Sequence, residues 1–434
     1  MFKTLKNAFK IKDIRTKIFY TFLMIVVVRI GSQLPIPGVN RDYFANWFSQ
    51  QTGDAFSFFN AVTGGSFTEM SVFALNITPY ITSSIIMQLL TIVIPKLEEM
   101  QKDGEDGRKK IASITRYVTV ALALVQATAM SVGFGNKGLL QEYNFMNVLT
   151  VVVALTAGST FLMWIGERIT ESGVGNGISI VLLVNIVSRI PADLATLYET
   201  FVKGKLPAYA ILAILIIVAV ILVTTVLTII LQGGERKISV QYAKKMQGRK
   251  MVGGQSTHIP LKVNTAGVIP IIFASSLLQF PVVIGSLLGK QGSEWVKYLS
   301  SSNWCDPNNL KYSIGLLVYI ILVVFFAYFY TSITFNPLEV ANNLKKQGGF
   351  IPGIRPGTPT SDYLTKILNN IIFIGAVFLI IVAAIPIFFN GVFGAQVTFG
   401  GTSLIIIVGV VLETVKQLES QMLVRYYKGF LNDK

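Results

Sequence analysis

The chain has 434 residues, of which 52% are hydrophobic and only 14% charged. With a mean hydropathy of +0.60, these values exclude an ordinary soluble domain and point to a protein with many membrane spans. The formal net charge is +15, with 37 Lys and Arg against 22 Asp and Glu, and there is one histidine and one cysteine.

In chain order, clear apolar spans run over 18–34, 71–95, 117–134, 145–165, 209–231, 266–288, 312–335 and 367–389. Each is long enough to cross a hydrocarbon core of roughly 30 Å, allowing for tilt or interfacial residues. Two further stretches, 174–190 and 398–415, are short and broken by glycine, and hydropathy alone leaves them undecided. The distribution of Lys and Arg decides them. Lys3, Lys6, Lys10, Lys12, Arg15 and Lys17 place the N-terminal tail inside, and the basic run Lys96–Arg116 follows two crossings. Arg168 and the basic loop 236–262 are also inside with only one strong span, 209–231, between them, so parity demands another crossing, at 174–190. The same parity places 398–415 across the membrane before Lys416, Arg425 and Lys428. The expectation is an all-α integral membrane protein of ten spans with both termini cytoplasmic. The first apolar stretch continues as a full span, so no cleavable signal peptide is expected.

Ten spans divide into two halves of five, 1–192 and 209–434, joined by an outer connection at 193–208. An odd number of spans per half inverts the second copy. Gly-rich entries precede the fifth and tenth spans, GVGNGISIVLL at 173–183 and FGGTSLIII at 399–407. The second and seventh spans each carry a proline, an isoleucine two residues later and a Ser-Ser pair: Pro79 and Ile81, Pro270 and Ile272. Short or interrupted spans at matching positions point to a pathway at the membrane midplane.

The chemistry of the spans is sparse. Ion-coupled carriers keep Asp, Glu or His inside the bilayer, whereas the lone His258 lies in a polar loop. Arg29, Glu167 and Glu413 sit near span ends, where snorkelling or interhelical pairing accounts for them. There is no phosphate loop, no zinc signature and no nucleophile elbow. One histidine and the outer-loop Cys305 cannot build a metal cluster or an intrachain disulfide. The expectation is no enzyme, no catalytic residue and no cofactor. Any vectorial work must draw its energy from a partner. The loops 232–262 and 336–366 are too long to be connectors alone, and their basic residues suit anionic lipid, RNA or an acidic protein surface.

The segment GGQSTHIPLKVNTAGVIPIIFASSLLQFP (253–281) resembles the SecY/Sec61-alpha family, the core subunits of protein-translocation channels. So do RIGSQLPIPGVN (29–40), ALNITPYITSSIIMQLL (74–90), TRYVTV (115–120), FLMWIGERITESGVGNGISI (161–180), NNLKKQGGFIPGIRPG (342–357) and GGTSLIIIVGVVLETVKQLES (400–420). The order and spacing are those of the family along the whole chain.

The resemblance implies a channel for unfolded polypeptide, opening outward or sideways into lipid. It implies a midplane pore ring of Ile77, Ile81, Leu182, Ile186, Ile272 and Ile406, with Leu182 in place of a common isoleucine. Such apolar rings dewet when empty and close softly around a moving chain. By composition alone these six residues read as packing or lipid-facing. The outer segment DAFSFFNAVTGGSF (54–67) is implied to be a plug, with Phe56, Phe58, Phe59 and Phe67 in the outer funnel and Gly64 and Gly65 as its turn or hinge. A lateral gate for signal sequences and membrane anchors is implied between Thr82, Ser83, Ser84 and Gln88 on span two and Ser275, Ser276, Gln279 and Phe280 on span seven. Without the resemblance, such polar density reads as helix–helix hydrogen bonding. Docking by the ribosome, including its RNA, or by the SecA motor ATPase is implied at Arg236, Lys237, Arg249, Lys250 and Arg355. The implied complex contains SecE and SecG, works on preproteins and their signal peptides, and lies in the bacterial cytoplasmic membrane. The alternative from another class is an ion-coupled secondary transporter.

Overall fold

The computed structural model describes residues 8–43, 63–242, 245–247, 250–252, 256–287, 293–300, 303–307, 309–393 and 401–429. The chain divides into two compact units, one formed by 1–196 with 410–434 and the other by 197–409.

The first unit opens with α1 (Lys12–Gly31). The span expected at 71–95 begins late. Residues 71–77 form a succession of turns, because Asn76 adopts a left-handed φ of 51° and stops any helix from starting before it. The Asn76 carbonyl accepts a hydrogen bond from Ser159 Oγ at 2.9 Å, and its Oδ1 accepts one from the Ile77 N–H at 2.8 Å. Helix α2 (Thr78–Val93) then starts with a proline in its first turn, where a missing N–H costs nothing. Pro95 opens α3 (Pro95–Lys102), and the two helices are bent by 106° at the break. Next come α4 (Glu105–Phe134) and α5 (Phe145–Ser172). Helix α6 (Gly177–Phe201) is capped by Asn176, whose Oδ1 accepts from the N–H groups of Ile178 and Ser179. It runs eleven residues beyond the span end expected at 190, through Pro191.

The second unit is built on α7 (Pro207–Gly233), α8 (Ile269–Leu287), the short α9 (Glu294–Leu299), α10 (Ile314–Thr334), α11 (Pro337–Lys346) and α12 (Thr358–Phe393). Helix α13 (Gly401–Gly429) begins in this unit and ends in the first. Ile271, Ala274, Leu278, Tyr319, Val323, Leu379, Val382 and Ile405 pack as one buried core.

Six helical stretches among the described residues are long and apolar enough to cross a membrane: α4, α5, α6, α7, 310–346 and α12. The bent α2–α3 pair would make a seventh. Helix α6, which hydropathy left undecided, is one of the six. The chain is thus a multi-pass, mostly helical membrane protein.

It is not purely α-helical. The basic loop 232–262 contains β1 (Glu235–Tyr242), β2 (Lys245–Gln247), β3 (Lys250–Val252) and β4 (Ser256–Lys262). Strands β1 and β4 pair antiparallel with Glu235 opposite Lys262 and Gln241 opposite Ser256. The two-residue β5 (Gly349–Phe350), from the second basic loop, pairs with the far end of β1. The order β4-β1-β5 therefore joins the two loops in one sheet.

Candidate conduit, plug, gate and docking face

The six ring candidates fall in both units. Ile77 is the residue before α2, is fully buried, and accepts the Ile81 N–H at 3.0 Å. Ile81 is half-buried one turn on. Leu182 and Ile186, a turn apart on α6, are both buried. These four belong to the first unit. Ile272, half-buried on α8, and Ile406, buried on α13, belong to the second.

Of the plug candidates, Phe56, Phe58 and Phe59 lie outside the described residues. Gly64, Gly65 and Phe67 stand in a run of turns over 64–70 that packs on α6. A Cβ at Gly64 would lie 2.9 Å from the Asn185 carbonyl oxygen, a backbone atom that cannot swing aside. Phe67 is buried together with Thr63, Ser66 and Met70. Arg41 fastens the far end of the run: its Nε donates to the Glu69 carbonyl at 3.1 Å and its Nη2 to the Gln33 carbonyl at 3.2 Å.

The gate candidates divide in an unexpected way. Ser83 is buried and donates to the Thr115 carbonyl on α4 at 2.8 Å. Thr82 bonds back to the Thr78 carbonyl of its own helix. Ser275 is hydrogen-bonded to the hydroxyl of Tyr319 on α10. Ser83 and Ser275 thus fasten helices within their own units. Ser84 is half-buried and Gln88 exposed on α2. The backbones of Ser276, Gln279 and Phe280 are in α8, and their side chains lie outside the described residues.

The docking candidates have a rigid base. Ile238 and Val240 of β1, Leu261 of β4, Leu344 of α11, Ile351, and Leu364, Ile367 and Ile371 of α12 form one buried cluster. Arg236 and Lys237 stand exposed at the start of β1. Lys250 lies in β3 opposite Gln247, and Arg249 lies outside the described residues. Arg355 is exposed at the tip of a turn between Gly353 and Gly357, both with positive φ. The Ile354 N–H donates to the Ile351 carbonyl at 3.0 Å, and Thr360 Oγ1 donates to the Arg355 carbonyl at 2.8 Å. Sequence reading missed this sheet. The signal was present in ERKISVQY, where buried Ile238 and Val240 alternate with exposed Lys237, Ser239 and Gln241.

Of the charged groups near the spans, Arg29 has its Nη1 buried with no hydrogen-bond partner among the described residues. Glu167 accepts from Arg116 Nε at 2.8 Å, which joins α5 to α4. Glu413 is exposed on α13. A charge pair that reading the spans missed, Arg189 with Asp193, lies where α6 passes the end of the span expected at 174–190. Among the described residues no three His, Cys, Asp or Glu side chains cluster as metal ligands.

A multi-pass helical membrane protein with this order of helices has the fold of a protein-conducting channel. It is similar to a solved protein-conducting channel with a TM-score of 0.65 and 18% identity over 94% of this chain and 92% of that one. It is likewise similar to Sec61 in a canine ribosome–channel complex from the endoplasmic reticulum, with a TM-score of 0.61 and 17% identity over 94% and 92%. The SecY family profile matches residues 71–415. The protein translocase subunit SecY of Halalkalibacterium halodurans is 46% identical over 99% of this chain and 100% of its own length. The same subunit of Bacillus subtilis is 44% identical over the whole of both chains. The chain belongs to the SecY family.

Proposed function

We propose that the chain is the conduit of a protein translocase, passing unfolded preproteins across the membrane and releasing transmembrane segments sideways into lipid. The observation that carries this reading is its relation to translocase subunits along the full length of both chains. The likeness in fold to protein-conducting channels supports it. The reading includes ten transmembrane helices in two inverted halves, 1–192 and 209–434, joined at 193–208. Both termini are cytoplasmic and the membrane is the bacterial cytoplasmic membrane. SecE and SecG complete the complex, and SecA or the ribosome docks on the face that carries Arg236, Lys237, Arg249, Lys250 and Arg355. The chain itself is not an enzyme. Ile77, Ile81, Leu182, Ile186, Ile272 and Ile406 form the seal, 54–67 the plug, and α2 with α8 the lateral gate. Ser83 and Ser275 fasten helices within their own units, and we assign Thr82, Ser84, Gln88, Ser276, Gln279 and Phe280 to the seam.

The test is reconstitution of the chain with SecE and SecG in proteoliposomes, supplied with SecA, ATP and a preprotein. Protease-protected preprotein should accumulate only with motor and ATP. Solute uptake driven by an ion gradient, with no preprotein transport, would replace the conduit by a carrier.

The seal makes its own prediction. Ile272→Asn puts an amide into a dry constriction, and a misplaced polar group costs about 1–3 kcal/mol on protein scales. That is enough to move a closed–open equilibrium by about five- to a hundredfold. Precursors with defective signal sequences should be exported at rates approaching those of intact ones. Wild-type rejection of such precursors would remove Ile272 from the ring.

A further inference from the structure

Val263 belongs to two cores at once. It packs against the buried cluster beneath the sheet, which holds Ile238, Val240 and Leu261. It also packs against the core that holds Ile271 and Ala274 of α8.

The linker between the sheet and α8 is short and pinned. Strand β4 ends at Lys262 and α8 starts at Ile269. The Val263 N–H donates to the Gly234 carbonyl at 2.9 Å, and Thr265 Oγ1 donates back to the Lys262 carbonyl at 2.9 Å. Asn264, Ala266 and Pro270 are buried. Fully extended, residues 263–268 could reach about 20 Å and would absorb any movement of the sheet. Folded and fastened in this way, they have little slack. The Ile272 N–H donates to the Val268 carbonyl at 3.1 Å. The ring candidate therefore stands about 6 Å along the helix axis from the end of the linker.

Helix α12 backs this junction. A Cβ on Gly375 would lie 2.4 Å from the Val263 carbonyl oxygen and 3.3 Å from its carbon, so only glycine lets α12 meet the linker backbone here. Leu364, Ile367 and Ile371 of α12 enter the sheet cluster, and Leu379, Val382 and Ala383 enter the α8 core. Gly375 lies between the two sets. Close-packed interiors are stiff and pass strain on. A load on the sheet thus has a direct route to α8, through Val263 held against Gly375.

We propose that Val263, backed by Gly375, is a positioning residue that carries the load of a docked partner from the sheet into α8 and so moves Ile272. This rests on the docking and ring readings. The test uses the full chain assembled with SecE and SecG in proteoliposomes, with SecA, ATP and a preprotein. SecA affinity, the translocation rate at saturating SecA and the ATP hydrolysed per preprotein are measured, each per assembled complex. Coupling between two sites is ordinarily worth about five- to 150-fold. Gly375→Ala should leave SecA affinity unchanged and lower the saturated rate about tenfold, with more ATP hydrolysed per preprotein. Gly391→Ala is the control on the same helix. Its Cβ would lie 2.1 Å from the Trp304 carbonyl oxygen, so it overpacks α12 as strongly, but away from the junction. It should lower the amount of complex and leave the rate per complex unchanged. Val263→Ala removes the shared packing without forcing two backbones apart. It should slow transport in the same direction, and it is the readout if Gly375→Ala does not assemble. Adding Ile272→Asn, which loosens the ring directly, should restore most of the lost rate. A wild-type rate per complex in Gly375→Ala or Val263→Ala overturns the role of the junction. Equal slowing by Gly391→Ala overturns it too, because overpacking alone would then suffice. Loss of SecA affinity also overturns it, since the junction would then shape the docking face instead of passing its load. If Ile272→Asn relaxes signal stringency by itself but restores no rate, the junction role fails alone. If it leaves stringency unchanged, the ring reading fails and the proposal with it. Normal translocation by Arg355→Glu removes the docking reading and the proposal likewise.

Discussion

Arg355→Glu should nearly abolish SecA-driven export while leaving the membrane-embedded protein assembled. Arg355 is exposed, so the change should alter folding by no more than about 0.5 kcal/mol. Its surroundings are ordered: Ile351 is anchored in the cluster beneath the sheet and Thr360 closes the turn onto the Arg355 carbonyl. A guanidinium held at the tip of such a turn loses little conformational freedom on docking. It can make two parallel charge-assisted hydrogen bonds to a carboxylate, which a lysine cannot. Truncating one partner of a close interfacial charge pair costs about 2–5 kcal/mol, and reversing the charge adds repulsion. Arg355→Lys should therefore keep part of the activity and Arg355→Glu almost none. The measurement is preprotein translocation into vesicles with SecA and ATP, normalised to the amount of complex with SecE. Normal translocation by the glutamate variant would leave Arg355 as a topology charge.

The helices were legible because their apolar runs are long and their flanks are basic. Helix ends were less so, for local reasons. The start at Thr78 depends on the left-handed Asn76 and its bond from Ser159, a residue 83 positions away. The C-terminal end of α6 was hidden because Arg189 and Asp193 end the apolar window while the helix continues to Phe201. The three-stranded sheet was written in the alternation of Ile238 and Val240, but its basic residues read first as a charged loop. Its third strand, Gly349–Phe350, is too short to announce itself. Within the spans the limit is chemical. Ile272, half-buried, and Ile321, exposed on α10, are the same residue on equally apolar helices. Period and composition cannot tell a pore-facing isoleucine from a lipid-facing one, so resemblance alone singled out the proposed ring. Ser83 and Ser275 show the converse. Their polarity was visible, but their partners, Thr115 and Tyr319, depend on which helices pack together.

Gly158→Ala should lower the amount of assembled protein several-fold, and Gly409→Ala should not. Both glycines lie inside long helices, where helix propensity alone would make alanine more favourable by up to about 1 kcal/mol. Space decides the sign. A Cβ at Gly158 would lie 2.0 Å from the Val72 carbonyl oxygen and 2.8 Å from its carbon. That backbone is held on both sides: the Val72 N–H donates to the Leu34 carbonyl at 2.9 Å, and Ser159 holds Asn76. Neither side can yield by a rotamer change, so α5 must move away from the 71–77 turns. The movement would strain the bond from Ser159 that shapes the entry to α2 and positions Ile77. Overpacking of this kind costs about 1–3 kcal/mol, which outweighs the propensity gain. At Gly409 the nearest atom is the flexible side chain of Gln232 at 3.6 Å, an ordinary contact. The check is the yield of SecE-bound complex and its thermal stability in detergent for the two variants side by side. Equal stability of Gly158→Ala and Gly409→Ala would mean that α5 does not approach the 71–77 turns this closely.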